Sequence, residues 1–427
     1  MDKPVFMQYQ NTLVFARNMD LTDPLSSFRD QFHLPQKEGK TLVYLCGNSL
    51  GLQPKSVQAA IDQELNDWAA LGVDGHFKGR HPWKYYHHFL CEDAAQVVGA
   101  KPAEVVVMNN LTVNLHLMMV SFYRPTATRY KILMEATAFP SDQYAMETQV
   151  RFHGLNPADA IIELKPRTGE FTLRTEDILS KIMDHKEDLA LVMLGGVNYY
   201  TGQAFDMQAI TNAAHEAGAL AGFDLAHAAG NILLQLHNWE VDFAVWCTYK
   251  YLNSGPGGTS GVFVHERHGN NPDLMRFAGW WGHDEQERFL MKKGFKPMEG
   301  AAGWQLSNAQ IIPMAIHKAS LQIFKAAGME NLRKKSEELT GYLAFILSDF
   351  KEHLQVITPA DPKQRGCQLS ILINRNGRHL FDYLEANHIL PDWREPDVIR
   401  MSPVPLYNNF EEVYQMGESL KKYFETE

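Results

Sequence analysis

Cysteine is scarce in this sequence. The four present, Cys46, Cys91, Cys247 and Cys367, share no CxxC spacing and are spread through 427 residues, which argues against a disulfide framework or a zinc ribbon and fits a reducing compartment. A basic surplus is missing too. Forty lysines and arginines against 50 acidic residues leave a formal charge of −10, and the basic residues are scattered, so no nucleic-acid surface is expected. No uninterrupted apolar run approaches the roughly 18 residues of a membrane span, and Met1-Asp2-Lys3-Pro4 does not lead from a basic stretch into an apolar one as an export signal does. Repeats and low-complexity tracts are also lacking. The expectation left is a soluble cytoplasmic chain, without membrane partners and long enough for two domains that share one site.

Metal signatures are equally thin. HExxH and closed four-ligand spacings do not occur, although the chain has 18 histidines. The densest cluster, His87-His88 with Cys91 and Glu92, lies among Tyr85, Tyr86, Phe89 and Leu90. It reads as an aromatic packing surface on a helix, so no metal is expected.

Between Val105 and Phe263 short apolar runs alternate with amphipathic stretches, the βαβ rhythm of an α/β domain with a mostly parallel sheet covered by helices on both faces. Strands are predicted at Val105 to Met108, Lys131 to Glu135, Leu189 to Leu194, Leu220 to Phe223, Phe243 to Thr248 and Gly261 to Val264. Asp206 to Ala217 reads as a helix capped by Asp206 and stopped by Gly218. Long helices follow at Ala309 to Ala327 and Met329 to Lys351, then a strand at Gln368 to Ile373. The implied organisation is an N-terminal arm over 1–60 that belongs partly to a small domain, a large cofactor-binding domain over 61–308, and a smaller α+β domain over 309–427.

The apolar run ending at Thr248 leads straight into Tyr249 and Lys250, followed by the turn Tyr251-Leu252-Asn253-Ser254-Gly255-Pro256-Gly257-Gly258. So glycine-rich a turn does not hide a lysine by ordinary packing. One strand earlier, 26 residues upstream of the lysine, Asp224 ends another apolar run. A strand-end carboxylate followed by a strand-end lysine is what an enzyme needs to hold pyridoxal phosphate (PLP). The lysine forms a Schiff base with the aldehyde and the carboxylate keeps the pyridine nitrogen protonated. In an α/β sheet both side chains fall beyond the carboxyl ends of the strands, where ligands bind.

Other segments add to this site, each with a plainer alternative. Asn110-Leu111-Thr112 runs from a strand into a helix, whose first N–H groups can take a phosphate, or Thr112 simply caps that helix. Phe139, after another strand end, either covers the face of an aromatic cofactor or fills the core. Asp142 can face the same crevice. His227 either touches the cofactor or is a satisfied structural histidine. Arg400 precedes Met401-Ser402-Pro403-Val404-Pro405 and either grips a carboxylate or is a surface charge.

Together these motifs resemble the kynureninases, fold-type I PLP enzymes related to the cysteine desulfurases, over nearly the whole chain. The resemblance rests on Tyr44-Leu45-Cys46-Gly47-Asn48-Ser49-Leu50-Gly51, Asn110 to His116, Tyr200-Thr201-Gly202, Gly222 to His227, Tyr249 to Asn253, Gly279-Trp280-Trp281-Gly282-His283, Ser307-Asn308 and Pro403-Val404-Pro405-Leu406-Tyr407-Asn408. It implies a large domain with a seven-stranded sheet and a homodimer with shared active sites. The activity implied is hydrolysis of the Cβ–Cγ bond of L-kynurenine or 3-hydroxy-L-kynurenine, in tryptophan catabolism or NAD biosynthesis.

The resemblance also implies roles. Lys250 is the Schiff-base lysine and Asp224 the partner of the ring nitrogen. Phe139 stacks on the ring, Asp142 and His227 contact the cofactor, and Leu111, Thr112 and Tyr249 hold its phosphate. Beside both the lysine and the phosphate, Tyr249 is also the side chain expected to donate or relay a proton. Trp280 and Asn308 reach the site from the second subunit, Arg400 clamps the amino-acid substrate's carboxylate, and His76, Ser307 and Asn308 line its aromatic end. Gly195 departs from the pattern, standing where some members carry serine. Two rivals remain: a cysteine desulfurase, which needs a cysteine in a mobile loop, and a catalytically silent PLP-fold binding protein.

Overall fold

The computed structural model describes residues 8–136 and 138–426. Seven strands form the central sheet: β1 (Val105–Val107), β2 (Lys131–Glu135), β3 (Ile161–Leu164), β4 (Leu189–Gly195), β5 (Leu220–Asp224), β6 (Phe243–Trp246) and β7 (Gly261–Val264). They lie in the order β1-β7-β6-β5-β4-β2-β3. The run from β6 to β3 is parallel throughout, whereas β7 is antiparallel to both its neighbours. Six of the seven strands stand where the apolar runs place them. β3, one of the two edge strands, escapes the sequence because only Leu164 of its four residues is buried, so it has no continuous apolar run. The run through Thr248 leaves the ladder at Trp246, which frees Cys247 to Lys250 to turn over the sheet edge.

Helices α1 (Leu13–Thr22), α2 (Val57–Leu71), α3 (His88–Val98), α4 (Leu111–Phe122), α5 (Pro140–Phe152), α6 (Met207–Glu216), α7 (Ile311–Ala327), α8 (Met329–Leu347) and α9 (Phe410–Thr426) supply most of the cover. α6 begins and ends on the expected signals. The Asp206 carboxylate accepts from the Ala209 N–H at 3.0 Å, and Gly218 follows with φ of 72°, a left-handed stop that glycine adopts without strain. α7 packs on α2 and α3, while α1 and α8 pack on α9. α8 stops at Leu347 and tightens into a 3-10 turn over Ser348–Phe350.

A second sheet, antiparallel throughout, consists of β8 (Leu354–Val356), β9 (Leu369–Ile373), β10 (Asp392–Arg394) and β11 (Val398–Met401) in the order β8-β9-β11-β10. The N-terminal segment joins it: Val43–Tyr44 pairs in parallel with Ile389–Leu390, and Ala16, Val43 and Leu45 share one buried cluster with Leu343, Leu369 and Ile371. Among the described residues no helix is long and apolar enough to cross a membrane.

His317, on α7, is fully buried with neither ring nitrogen hydrogen-bonded. Burial pushes its pKa down to about 3. The unfolded chain, with an ordinary histidine near 6.5, therefore binds a proton in a range where the folded chain refuses it. Below pH ~6.5 stability should fall by up to about 1.4 kcal/mol per pH unit from this group alone. Urea unfolding at pH 7 and pH 5.5 checks this: His317→Leu should lose less stability between the two pH values than the unaltered protein, and equal losses would count against it.

Candidate active site

The side chains at the carboxyl ends of β2, β4 and β5 and in the loop after β6 surround a cavity of about 250 Å³. Asp224, the last residue of β5, is buried there, its Oδ1 accepting the Ala226 N–H at 2.7 Å. Burial pushes its carboxyl up, against the pull of that N–H and of the Lys250 charge. Asp142, in the first turn of α5, is pushed up further by burial and by the negative charge of Asp224, with which it shares a hydrogen bond. Asp142 is thus the carboxyl of the pair that favours its protonated form.

Lys250 faces this pair. Its Nζ lies 3.0 Å from Nε2 of His227 and 5.8 Å from the ring centres of both Phe139 and Tyr249. Burial and the lysine charge hold His227 well below the usual imidazole range, so its Nε2 is a free lone pair that accepts from the lysine. The turn carrying Lys250 is fixed from the N-terminal arm: the Gly51 N–H donates to the Tyr249 carbonyl at 2.9 Å. A side chain at Gly51 would collide with the Lys250 carbonyl and with Asn253, so this close approach requires glycine.

The start of α4 closes another side through Leu111 and Thr112. The N-cap is Asn110, whose side chain makes no capping bond, and Thr112 stands second in the helix. The threonine hydroxyl is therefore not the cap, and the first-turn N–H groups have no side-chain cap to satisfy them, as an anion site requires. Phe139, half-exposed, offers a flat face on the same cavity. A lysine, a buried carboxyl pair, an aromatic face and a helix start on one cavity fit PLP: amine for aldehyde, carboxylate for ring nitrogen, N–H groups for phosphate.

Sequence reasoning missed part of the lining. Glu135, the last residue of β2, is buried beside Asp142 and Asp224, and burial pushes it up against hydrogen bonds from Asn198 Nδ2 at 2.9 Å and the Gly195 N–H at 2.7 Å. The signal was available, since a charge closing an apolar strand is the signature that singled out Asp224. A side chain at Gly195 would begin 3.2 Å from Glu135 Oε2, so a serine there would crowd the carboxylate that the glycine N–H now serves. Tyr199 also lines the cavity, its ring edge-on to Phe139 at 5.2 Å.

Five sequence-derived residues do not line this cavity. Arg400, on β11, is fully buried one residue behind it: Nη1 donates to the Tyr199 carbonyl at 2.6 Å, and Nη2 is ion-paired with Asp392. His76, Trp280, Ser307 and Asn308 lie elsewhere on the chain. Ser307 and Asn308 are exposed. His76 packs edge-on to Trp83 at 5.3 Å, next to Phe77, which reaches Phe289 at 6.2 Å; Phe289 in turn meets Trp280 at 5.3 Å. His76 and Trp280 thus share one partly exposed aromatic patch.

Residues 332–420 match the family model described as the kynureninase C-terminal domain. A kynureninase of Myxococcus xanthus is 57% identical over 415 residues, 97% of each chain. One of Flavobacterium psychrophilum is 55% identical over 420 residues, 97% of this chain and 99% of the relative. Among solved structures, the cysteine desulfurase of Thermococcus onnurineus superposes with a TM-score of 0.74 at 18% identity, covering 96% of this chain and 98% of the other. That last likeness speaks for the fold alone. Identity above one half across nearly the full length of these relatives places the chain in the kynureninase family.

Proposed function

We propose that this chain hydrolyses the Cβ–Cγ bond of L-kynurenine or its 3-hydroxy form, releasing anthranilate or 3-hydroxyanthranilate and L-alanine, on PLP held in the cavity at the sheet edge. The observation carrying the reading is that Lys250 and the Asp142–Asp224 carboxyl pair meet in one cavity. When bound, PLP supplies an electron sink for charge developing on the substrate's Cα.

The residues divide the remaining work. Lys250 Nζ takes the proton from the substrate Cα, and His227, neutral and 3.0 Å away, holds the amine in place. Asp224 keeps its negative charge at the ring nitrogen, and the proton on Asp142 allows two carboxyls to stay buried together. Burial, with Cys247 beside it, pushes the Tyr249 phenol up, so Tyr249 keeps its proton at neutral pH and can donate it to Cβ, which loses its bond to Cγ once water has added to the γ-carbonyl and Cγ leaves as the anthranilate carboxylate. Leu111, Thr112 and Tyr249 hold the phosphate. Arg400 takes the substrate carboxylate with its planar fork, exchanging its present bond to Tyr199 or Asp392.

His76, Trp280, Ser307 and Asn308 complete the aromatic end across a homodimer interface. Exposed apolar side chains around Trp280, among them Phe77, Phe289, Leu290 and Met291, support an interface on that face. The large domain over 61–308 then carries the cofactor, and the chain over 309–427 brings Arg400 to it. A cytoplasmic place suits four cysteines that form no disulfide.

The purified holoenzyme should absorb visible light through the cofactor held on Lys250, and Lys250→Ala should lose that absorbance together with turnover. Retention of the original rate would overturn the mechanism. Arg400→Lys, which keeps charge but loses the fork, should raise KM for kynurenine about tenfold or more and leave inhibition by anthranilate nearly unchanged; equal losses would remove the assigned role. Mixing inactive Lys250→Ala with inactive Trp280→Ala and re-forming dimers should restore about a quarter of the activity, since half of the dimers pair the two and each of those carries one intact site. No recovery would place Trp280 in the site of its own chain.

A further inference from the structure

His87 is wholly buried, and neither ring nitrogen makes a hydrogen bond. An imidazole with two unsatisfied nitrogens is a costly thing to bury. Its Nε2 nevertheless points at a specific partner, Oε1 of Glu285, 3.5 Å away. His88, with its ring centre 4.0 Å from that of His87, directs its own Nε2 to the same carboxylate oxygen at 2.9 Å. Two zinc bonds of ~2.0–2.1 Å at the tetrahedral angle set their donor atoms roughly 3.3 Å apart. The two separations from Glu285 straddle that figure.

We propose that His87, His88 and Glu285 form a binding site for zinc(II), with the fourth position open to water. Two imidazoles and a carboxylate suit a divalent ion of borderline softness. His87 is buried with both ring nitrogens unpartnered, so a lone pair is available to a metal. Arg288, close enough to act on both His87 and Glu285, opposes a dication and holds the affinity below that of a closed structural site.

Position gives the site a consequence. His87 and His88 stand at the start of α3, whereas Glu285 lies in the loop that carries Trp280, whose Nε1 donates to the Arg288 carbonyl at 3.0 Å. A bound ion would therefore tie that loop to the start of α3. Another group, Glu104 with His237 and His265, has comparable spacing. There the donors are already used: Glu104 accepts the N–H groups of Lys101 and Glu266, and His265 Nδ1 accepts that of Arg267. At the His87 site both ring nitrogens of His87 are unpartnered, and His88 Nε2 is bonded to Glu285, itself a proposed ligand; the site stands independently of the reaction assigned above.

The test is calorimetric titration of zinc chloride into metal-stripped, PLP-loaded protein, with hydrogen exchange measured over residues 278–296. The expected result is one saturable equivalent per chain and slower exchange in that loop. His88→Ala and Glu285→Gln alter side chains that are partly exposed, and each should weaken binding by at least about tenfold and abolish the protection. No saturable binding, or binding undiminished in both variants, overturns the site. Binding that leaves loop exchange unchanged overturns the tie.

Discussion

Three carboxyl groups, those of Glu135, Asp142 and Asp224, are buried around a single lysine, and the architecture of the site follows from how that charge is made bearable. Anionic carboxylates out of water are expensive unless each is protonated, hydrogen-bonded or opposed by a cation. Each uses a different remedy. Glu135 takes the Gly195 N–H and the Asn198 amide, Asp142 keeps a proton, and Asp224 faces Lys250 while accepting the Ala226 N–H. A protonated pyridine ring is a further cation of the right shape for Asp224, so the cavity's electrostatics and its candidate cofactor point the same way.

The sheet order sets up this concentration of charge. β2, β4 and β5 are neighbours and parallel, so Glu135, Gly195 and Asp224 at their ends converge without any loop having to reach. Lys250 comes from the loop after β6, the next strand over, and its turn is clamped by Gly51 from the N-terminal arm. That arm is itself anchored at the other end of the chain, where Asn408 Nδ2 donates to the Tyr44 carbonyl at 3.0 Å. The Gly47 and Pro403 motifs, far apart in sequence, are one contact in space: a side chain at Gly47 would strike Val404 and Tyr407. Gly47 lets the arm close against this segment, and Gly51 lets it close against the lysine turn.

Much of this was legible before the fold was known, and the reason is local. A buried strand reads as an apolar run, and a charge at its end reads as a ligand group at the sheet edge, which found Asp224 and Lys250. The same rule covers Glu135, passed over because no spacing to a lysine drew attention to it. β3 was illegible because an edge strand needs no continuous apolar face. Arg400 reads from sequence as a carboxylate grip or a surface charge; it is buried, and its present carboxylate partner, Asp392, is its register partner on the adjacent strand β10, a pairing seen only once the strand register is known. Glu285 beside His87 is the same kind of case, an association of side chains nearly 200 residues apart.

Fold alone does not select the reaction. The fold shared with a cysteine desulfurase at 18% identity carries no reaction with it, since one frame hosts many chemistries. Sulfur transfer requires a thiolate able to approach substrate. Here Cys247 and Cys367 are buried, and burial pushes all four thiols up, to about 12 for Cys46, Cys91 and Cys367. Thiols so placed stay protonated at neutral pH and are poor nucleophiles. That leaves Tyr249, whose phenol burial pushes up so that it keeps its proton at neutral pH, as the acidic group beside Lys250 on the cavity. A phenol that holds its proton is suited to acid chemistry at carbon, which the proposed hydrolysis uses and thiolate sulfur transfer does not.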